Sequence, residues 1–256
     1  MSKRRVVLTG MGIISPVGNT VEDAWNSICE GRSGIGEITE FDASKMNTRI
    51  AGEIRDFDVE TIMSRKEARK FDKFVHYGMA ASMQALADAG IDAEGKHGLN
   101  QDRIGCAIGA GIGGIATIES TTETYLRGGP RRVSPFFIPG AIVNMIGGYL
   151  SIQYGLRGPN IAIVTACTSA THNIGSAMRM IQYGEADVMV AGGAEYATTP
   201  TAIAGFGSAK AMSTRNDDPT GASRPWDVGR DGFVLSNGAG VVIVEELEHA
   251  KARGAN

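Results

Sequence analysis

Residues 161–191 constrain the fold more than any other stretch. Ile161 to Thr165 is a short β-branched run, and Thr168 to Tyr183 carries Ile174, Ala177, Met178 and Ile181 at helical spacing. Asp187 to Ala191 is a second apolar run. Period-two and period-3.6 patterns in this order predict strand, helix, strand, which is a βαβ crossover. Such a unit places two parallel strands in one sheet with a helix across its face.

The rest of the chain extends this α/β pattern. Arg5 to Leu8 reads as a buried strand, and Thr20 then caps a helix over Val21 to Gly31 with Glu22 and Asp23 in its first turn. Ser64 and Glu67 form a capping box. Phe71, Phe74, Tyr77, Met83 and Leu86 follow near helical spacing as far as Gly90, predicting one long amphipathic helix. Arg103 to Ile108 is a strand running into glycines, with a helix over Ile115 to Leu126. A loop at Pro135 and Pro139 precedes a helix over Ala141 to Tyr154. Ser213 to Asp231 reads as a long ordered loop, and Phe233 to Leu235 and Val241 to Glu245 as further strands. The 35 glycines stand mostly where strands turn into helices, and no repeat or low-complexity linker interrupts them. The expected architecture is a largely buried mixed sheet with flanking helices.

Composition excludes several classes of function. A net charge of -3 gives no global attraction for nucleic acid or an anionic membrane. No apolar stretch approaches the roughly 18 residues of a membrane span. Lys3, Arg4 and Arg5 precede an apolar run, but Thr9, Gly10 and Gly12 interrupt it before a signal-peptide core develops, which places the chain in the cytoplasm. The three cysteines, Cys29, Cys106 and Cys167, show no CxxC spacing, so neither a disulfide framework nor a zinc site is expected.

Cys167 stands where the strand Ile161 to Thr165 meets the following helix. Backbone N–H groups and the helix dipole favour an anion there, and the thiolate is the nucleophilic form of cysteine. Its own N–H could donate to the oxyanion of a thioester intermediate. Position alone also fits a small buried hydrophobe, as most cysteines are. His172, five residues on, lies about 140° round the helix and faces away from the thiol. His76, His97 and His249 read as surface or packing residues. Gly109, Gly111 and Gly114 satisfy GxGxxG, but no strand ending in an acid follows where a ribose would need one. These glycines therefore read as a close approach to backbone or ligand. Lys66, Arg69, Lys70 and Lys73 cluster in sequence, with Arg131, Arg132 and Lys210 elsewhere. An acidic partner or a solvated charged face would each account for them.

The run Gly158-Pro-Asn-Ile-Ala-Ile-Val-Thr-Ala-Cys167-Thr-Ser-Ala resembles the nucleophile segment of the β-ketoacyl-acyl carrier protein synthases, condensing enzymes of the thiolase superfamily. The resemblance extends through Val6-Val-Leu-Thr-Gly-Met-Gly, Ser134-Pro-Phe-Phe, Ala186-Asp-Val-Met-Val-Ala-Gly-Gly-Ala-Glu195 and Ser223-Arg-Pro-Trp-Asp, and covers essentially the whole chain. It implies a thiolase-like fold, with a mixed, mostly parallel sheet flanked by helices. Residues 1–256 would be its amino-terminal domain, reaching the first part of the second pseudo-symmetric half. It also implies acyl transfer from acyl carrier protein to Cys167, then decarboxylative condensation with malonyl-loaded carrier protein. No metal or organic cofactor is implied. By the same match, Ile112 and Phe206 would line the acyl pocket, and Phe137 would reach it from the mate of a homodimer in which the Ile161 to Thr165 strand lies near the two-fold axis. Lys66, Arg69, Lys70, Arg131, Arg132 and Lys210 would form the carrier-protein docking surface. Core packing is the competing account of the three pocket residues.

Two histidines, a lysine and a phenylalanine loop of the family lie in a carboxy-terminal half with no counterpart in this sequence. The chain is therefore expected to be unable to complete condensation alone. Ser236 and Asn237 stand where the family usually has Gly and an acid. Two other readings remain: a non-catalytic truncated partner that binds carrier protein or a full-length subunit, and a thiolase-type acyltransferase on coenzyme A esters.

Overall fold

The apolar run after Arg5 continues well past Leu8. Glycines that would break a solvent-facing strand lie here beneath a helix: a Cβ on Gly10 would come within 2.3 Å of the Ala85 carbonyl oxygen, and one on Gly12 within 2.0 Å of that of Ala81. The computed structural model describes residues 3–96 and 98–256, so His97 lies outside the described residues. In chain order the strands are β1 (Val6–Ile14), β2 (Gly36–Glu37), β3 (Ile50–Ala51), β4 (Ile104–Gly109), β5 (Asn160–Ile161), β6 (Val188–Glu195) and β7 (Gly238–Glu246). The helices are α1 (Val21–Cys29), α2 (Arg65–Ala68), α3 (Lys73–Asp88), α4 (Ile115–Gly128), α5 (Phe137–Ala141), α6 (Met145–Tyr154), α7 (Ser169–Gln182), α8 (Pro200–Ser208) and α9 (Leu247–Ala252).

Five strands form one sheet in the order β1-β7-β6-β4-β5. β4 pairs parallel with β5 and β6, whereas β7 is antiparallel to both its neighbours, so only β7 runs against the other four. The expected β5-α7-β6 crossover is present, with β4 lying between its two strands. Alternation divides the core. Val188 and Val190 of β6 pack with α3 and α6 on one face, and Met189 and Ala191 pack with Ala177 and Ile181 of α7 on the other.

Four expected elements are broken or cut short. The long helix after Ser64 is two helices. Ser64 Oγ accepts the Glu67 N–H at 3.3 Å as the capping box requires, but the chain then turns. Buried Asp72 caps α3 through the Phe74 N–H and takes the Thr117 N–H at 2.8 Å, while its own N–H goes to the Gly140 carbonyl. The helix expected over Ala141 to Tyr154 is α5 and α6, with Pro139 inside the short α5. The strand expected over Ile161 to Thr165 joins the sheet only at its first residue; beyond it Asn173 takes both backbone groups of Ile163, and Thr165 makes only an isolated bridge to Cys167. Phe233 to Leu235 makes a single bridge, Phe233 to Met212, rather than a strand.

Candidate active site

The strap 162–166 leaves the sheet edge and delivers Cys167 to the start of α7. Asn173, fully buried on α7, accepts the Ile163 N–H at 3.0 Å and donates to the Ile163 carbonyl at 2.9 Å, clamping the strap to the helix it precedes. Buried Ser169 accepts the Thr165 N–H at 2.9 Å and donates to the Ala166 carbonyl at 2.7 Å. The N–H groups of Thr168 and Ser169 bond back to Thr165 and Ala166. These bonds hold Ala166 at φ +53°, a left-handed conformation that an alanine adopts only when its surroundings impose it. The consequence is an exposed Cys167 Sγ at the apex of the turn.

The glycine cluster explains how β4 can end against this strap. A Cβ on Gly109 would lie 2.5 Å from the Ile163 carbonyl oxygen, and one on Gly111 would lie 3.2 Å from that of Ala166 and 2.9 Å from Glu195 Oε2. The next N–H groups converge on an anion, as phosphate-binding loops do. Here that anion is the chain's own Glu195: Oε2 accepts from Ile112 at 2.8 Å and Oε1 from Gly113 at 2.9 Å. Gly113 sits at φ +81°, which only glycine adopts at little cost. A loop whose N–H groups hold a carboxylate has none of them free for a pyrophosphate, so the dinucleotide reading lapses. Burial pushes the Glu195 carboxyl up, opposed by the N–H groups of Gly113, Ile112 and Gly111.

Cys167, Ile112, Phe206, Glu195, Ser236 and Asn237 line one cavity of about 430 Å³. Two of the three expected pocket residues therefore line the cavity that Cys167 lines; Phe137, half-buried at the start of α5, does not line it within its own chain. Phe206 is held edge-on to Phe233, with centroids 5.3 Å apart. The unexplained residues 236 and 237 close the cavity floor. Buried Asn237 accepts from the N–H groups of Ala197 and Thr198 and donates to Thr198 Oγ1 at 2.6 Å, joining the start of β7 to the segment after β6. A carboxylate could accept the same two N–H groups, so the amide preserves the joint that an acid would make.

The other thiols and the histidines have different surroundings. Burial pushes the Cys106 thiol up to about 12, which keeps it protonated, and Cys29 is exposed at the end of α1. His172 Nδ1 lies 2.7 Å from Thr165 Oγ1. His76 Nε2 meets the Ala68 carbonyl, and His249 Nδ1 lies 2.6 Å from Glu245. Lys66, Arg69, Arg131, Arg132 and Lys210 are exposed. Lys70 is half-buried, paired with Glu67 at 2.6 Å and lying over the Phe136 ring. Lys73 pairs instead with Glu40 beside Tyr196. Among the described residues, no group of three or more His, Cys, Asp or Glu is placed to hold a metal ion, and no helix is long and apolar enough to cross a membrane.

Sequence reasoning missed Ser169, Asn173 and Glu195. Serine and asparagine early in a helix look like solvated residues, and nothing local shows that Glu195 meets a loop some 80 residues earlier.

Residues 3–250 match the family model for the beta-ketoacyl synthase N-terminal domain. The chain belongs to the beta-ketoacyl synthase family. Its full length is 61% identical to 3-oxoacyl-[acyl-carrier-protein] synthase 2 of Vibrio harveyi and 55% identical to that of Coxiella burnetii, and it spans 61% of the length of each. A beta-ketoacyl synthase from Burkholderia phymatum superposes with a TM-score of 0.89 at 33% identity, covering 99% of this chain and 62% of that one. A type II polyketide ketosynthase, solved in complex with its acyl carrier protein and bound to the hexaketide, superposes at 0.86 with 28% identity, covering 99% of this chain and 60% of that one. The thiolase-like ketosynthase fold expected from the nucleophile motif is thus confirmed.

Proposed function

We propose that this chain carries the acyl-accepting site of a fatty-acid condensing enzyme. The observation that carries this reading is the exposed Cys167 held on a left-handed turn at the mouth of an apolar cavity. Cys167 Sγ attacks the thioester carbonyl of an acyl-loaded carrier protein, and the backbone N–H of Cys167 donates to the tetrahedral oxyanion. The carrier thiolate then leaves, taking up a proton, and the acyl chain extends towards Ile112 and Phe206. Decarboxylative attack by malonyl-loaded carrier protein would next form the carbon–carbon bond of a 3-oxoacyl product. No cofactor is invoked.

Lys66, Arg69, Lys70, Arg131, Arg132 and Lys210 form the docking surface, pairing with carrier-protein carboxylates and phosphate. A homodimer would form at the edge strand β5, bringing Phe137 to the partner's pocket. Exposed Ile152 on α6 and Val164 on the strap supply apolar surface in that region. Three free thiols fit a reducing compartment, and we place the protein in the cytoplasm.

Acylation of Cys167 from acyl-carrier protein, compared with the matching coenzyme A thioester, tests this reading. Carrier protein should be the faster donor, and Lys66→Glu with Arg69→Glu should slow it at least tenfold while leaving the coenzyme A reaction unchanged. Equal donors and an indifferent double variant would instead favour a thiolase-type acyltransferase.

A further inference from the structure

The Glu195 carboxylate does no chemistry in the reading above, yet it lines the same cavity as Cys167. It is half-buried at the end of a central strand, and its side-chain hydrogen bonds run to one place, the N–H groups of the loop that carries Ile112. The loop's other anchor lies beyond Ile112, where the Gly114 N–H donates to the Ala141 carbonyl at 2.9 Å. Gly113 at φ +81° gives it a freely adopted turn, and Gly111 has no side chain with which to pack. The Ile112 side chain itself remains 41% exposed, so its own packing holds it weakly.

We infer that Glu195 is a positioning residue for chain-length selection: by seating the Ile112 and Gly113 N–H groups, it fixes Ile112 as a rigid wall of the acyl pocket. A carboxylate suits the task because both oxygens accept, one for each N–H, whereas a glutamine would turn a donor towards one of them. With the strut weakened, Ile112 can move aside and the cavity admits longer chains. This inference rests on Cys167 being the head of an acyl site, but its test needs no acyl transfer.

The measurement is the rate at which Cys167 of the 256-residue chain is alkylated by bromoacetamides whose alkyl tails run from ethyl to hexadecyl. The thiolate displaces bromide, forming a carbon–sulfur bond, and peptide mapping separates Cys167 from exposed Cys29. In the parent chain the rate should rise with tail length and then fall where Ile112 blocks the tail. Glu195→Gln should move that cut-off to longer tails, changing the long-to-short rate ratio by about fourfold for each methylene newly accommodated. A merely structural role would lower all rates together. An unchanged ratio, with or without slower alkylation, would therefore overturn the inference. If Glu195→Gln does not fold, Glu195→Asp, too short to span both N–H groups, carries the same test. A parent chain that alkylates with a clear cut-off but is never acylated would refute the proposed function while leaving the role of Glu195 to the rate ratio.

Discussion

Replacing Asn173 with alanine should release the strap that leads to Cys167, and the cost can be worked from its bonds. The side chain is fully buried and makes three hydrogen bonds: it accepts from the Ile163 N–H, and donates to the Ile163 and Ser169 carbonyls. Ser169 keeps its helical partner, but both groups of Ile163 lose theirs. A buried polar group left unpaired costs about 1–3 kcal/mol, and water entering from the half-exposed strap would recover part of that. A net loss of about 3 kcal/mol follows, or roughly 9 °C in melting temperature for a chain of this size. Asn173→Asp should rescue neither stability nor acylation, since it removes the donor and sets a charge against a carbonyl. Thermal unfolding and Cys167 acylation, measured on both variants, form the assay. A melting temperature within about 2 °C of the parent, or acylation at the parent rate in both variants, would refute the clamp.

Further outcomes follow from other contacts. Gly111→Ala should lower stability by about 1–3 kcal/mol, read from urea midpoints, and slow acylation, because the added methyl meets Glu195 and the Ala166 carbonyl. The hydrogen bonds from Arg103, with Arg4 alongside, hold the Asp187 carboxyl down at about 2, so its stabilising contribution is complete above the ordinary carboxylate range and is lost as pH falls towards 2. The stability gap between the parent and Asp187→Asn should thus be about 1 kcal/mol after solvent screening at pH near 6, and close to zero near pH 2. Arg253→Met should cost about 3 kcal/mol in denaturant unfolding, because Glu245, fully buried, would keep only His249 and Thr9 as side-chain partners.

What the sequence discloses and what it withholds divide along physical lines. The unit around α7 is legible because its apolar residues repeat with the period of the element they build, and the same pattern places Cys167 at the strand-to-helix junction. Breaks such as Asp72 are illegible because the cap is completed by Thr117 and Gly140, which are remote in sequence. Gly10 and Gly12 look like interruptions until α3 is laid across them. At the site, the position of Cys167 is written in local sequence, whereas the side-chain bonds that hold its strap and the Glu195 contact are not. Glu195 is read correctly only once its carboxylate is seen filling the nest that the glycine-rich loop forms.

The central claim is that Cys167 is a working acyl acceptor, and intact mass after incubation with acyl-carrier protein tests it most directly. The account predicts one acyl adduct on the 256-residue chain, mapped to Cys167 and absent from Cys167→Ala. A folded chain that gains no adduct, or one whose adduct persists in Cys167→Ala, would contradict it.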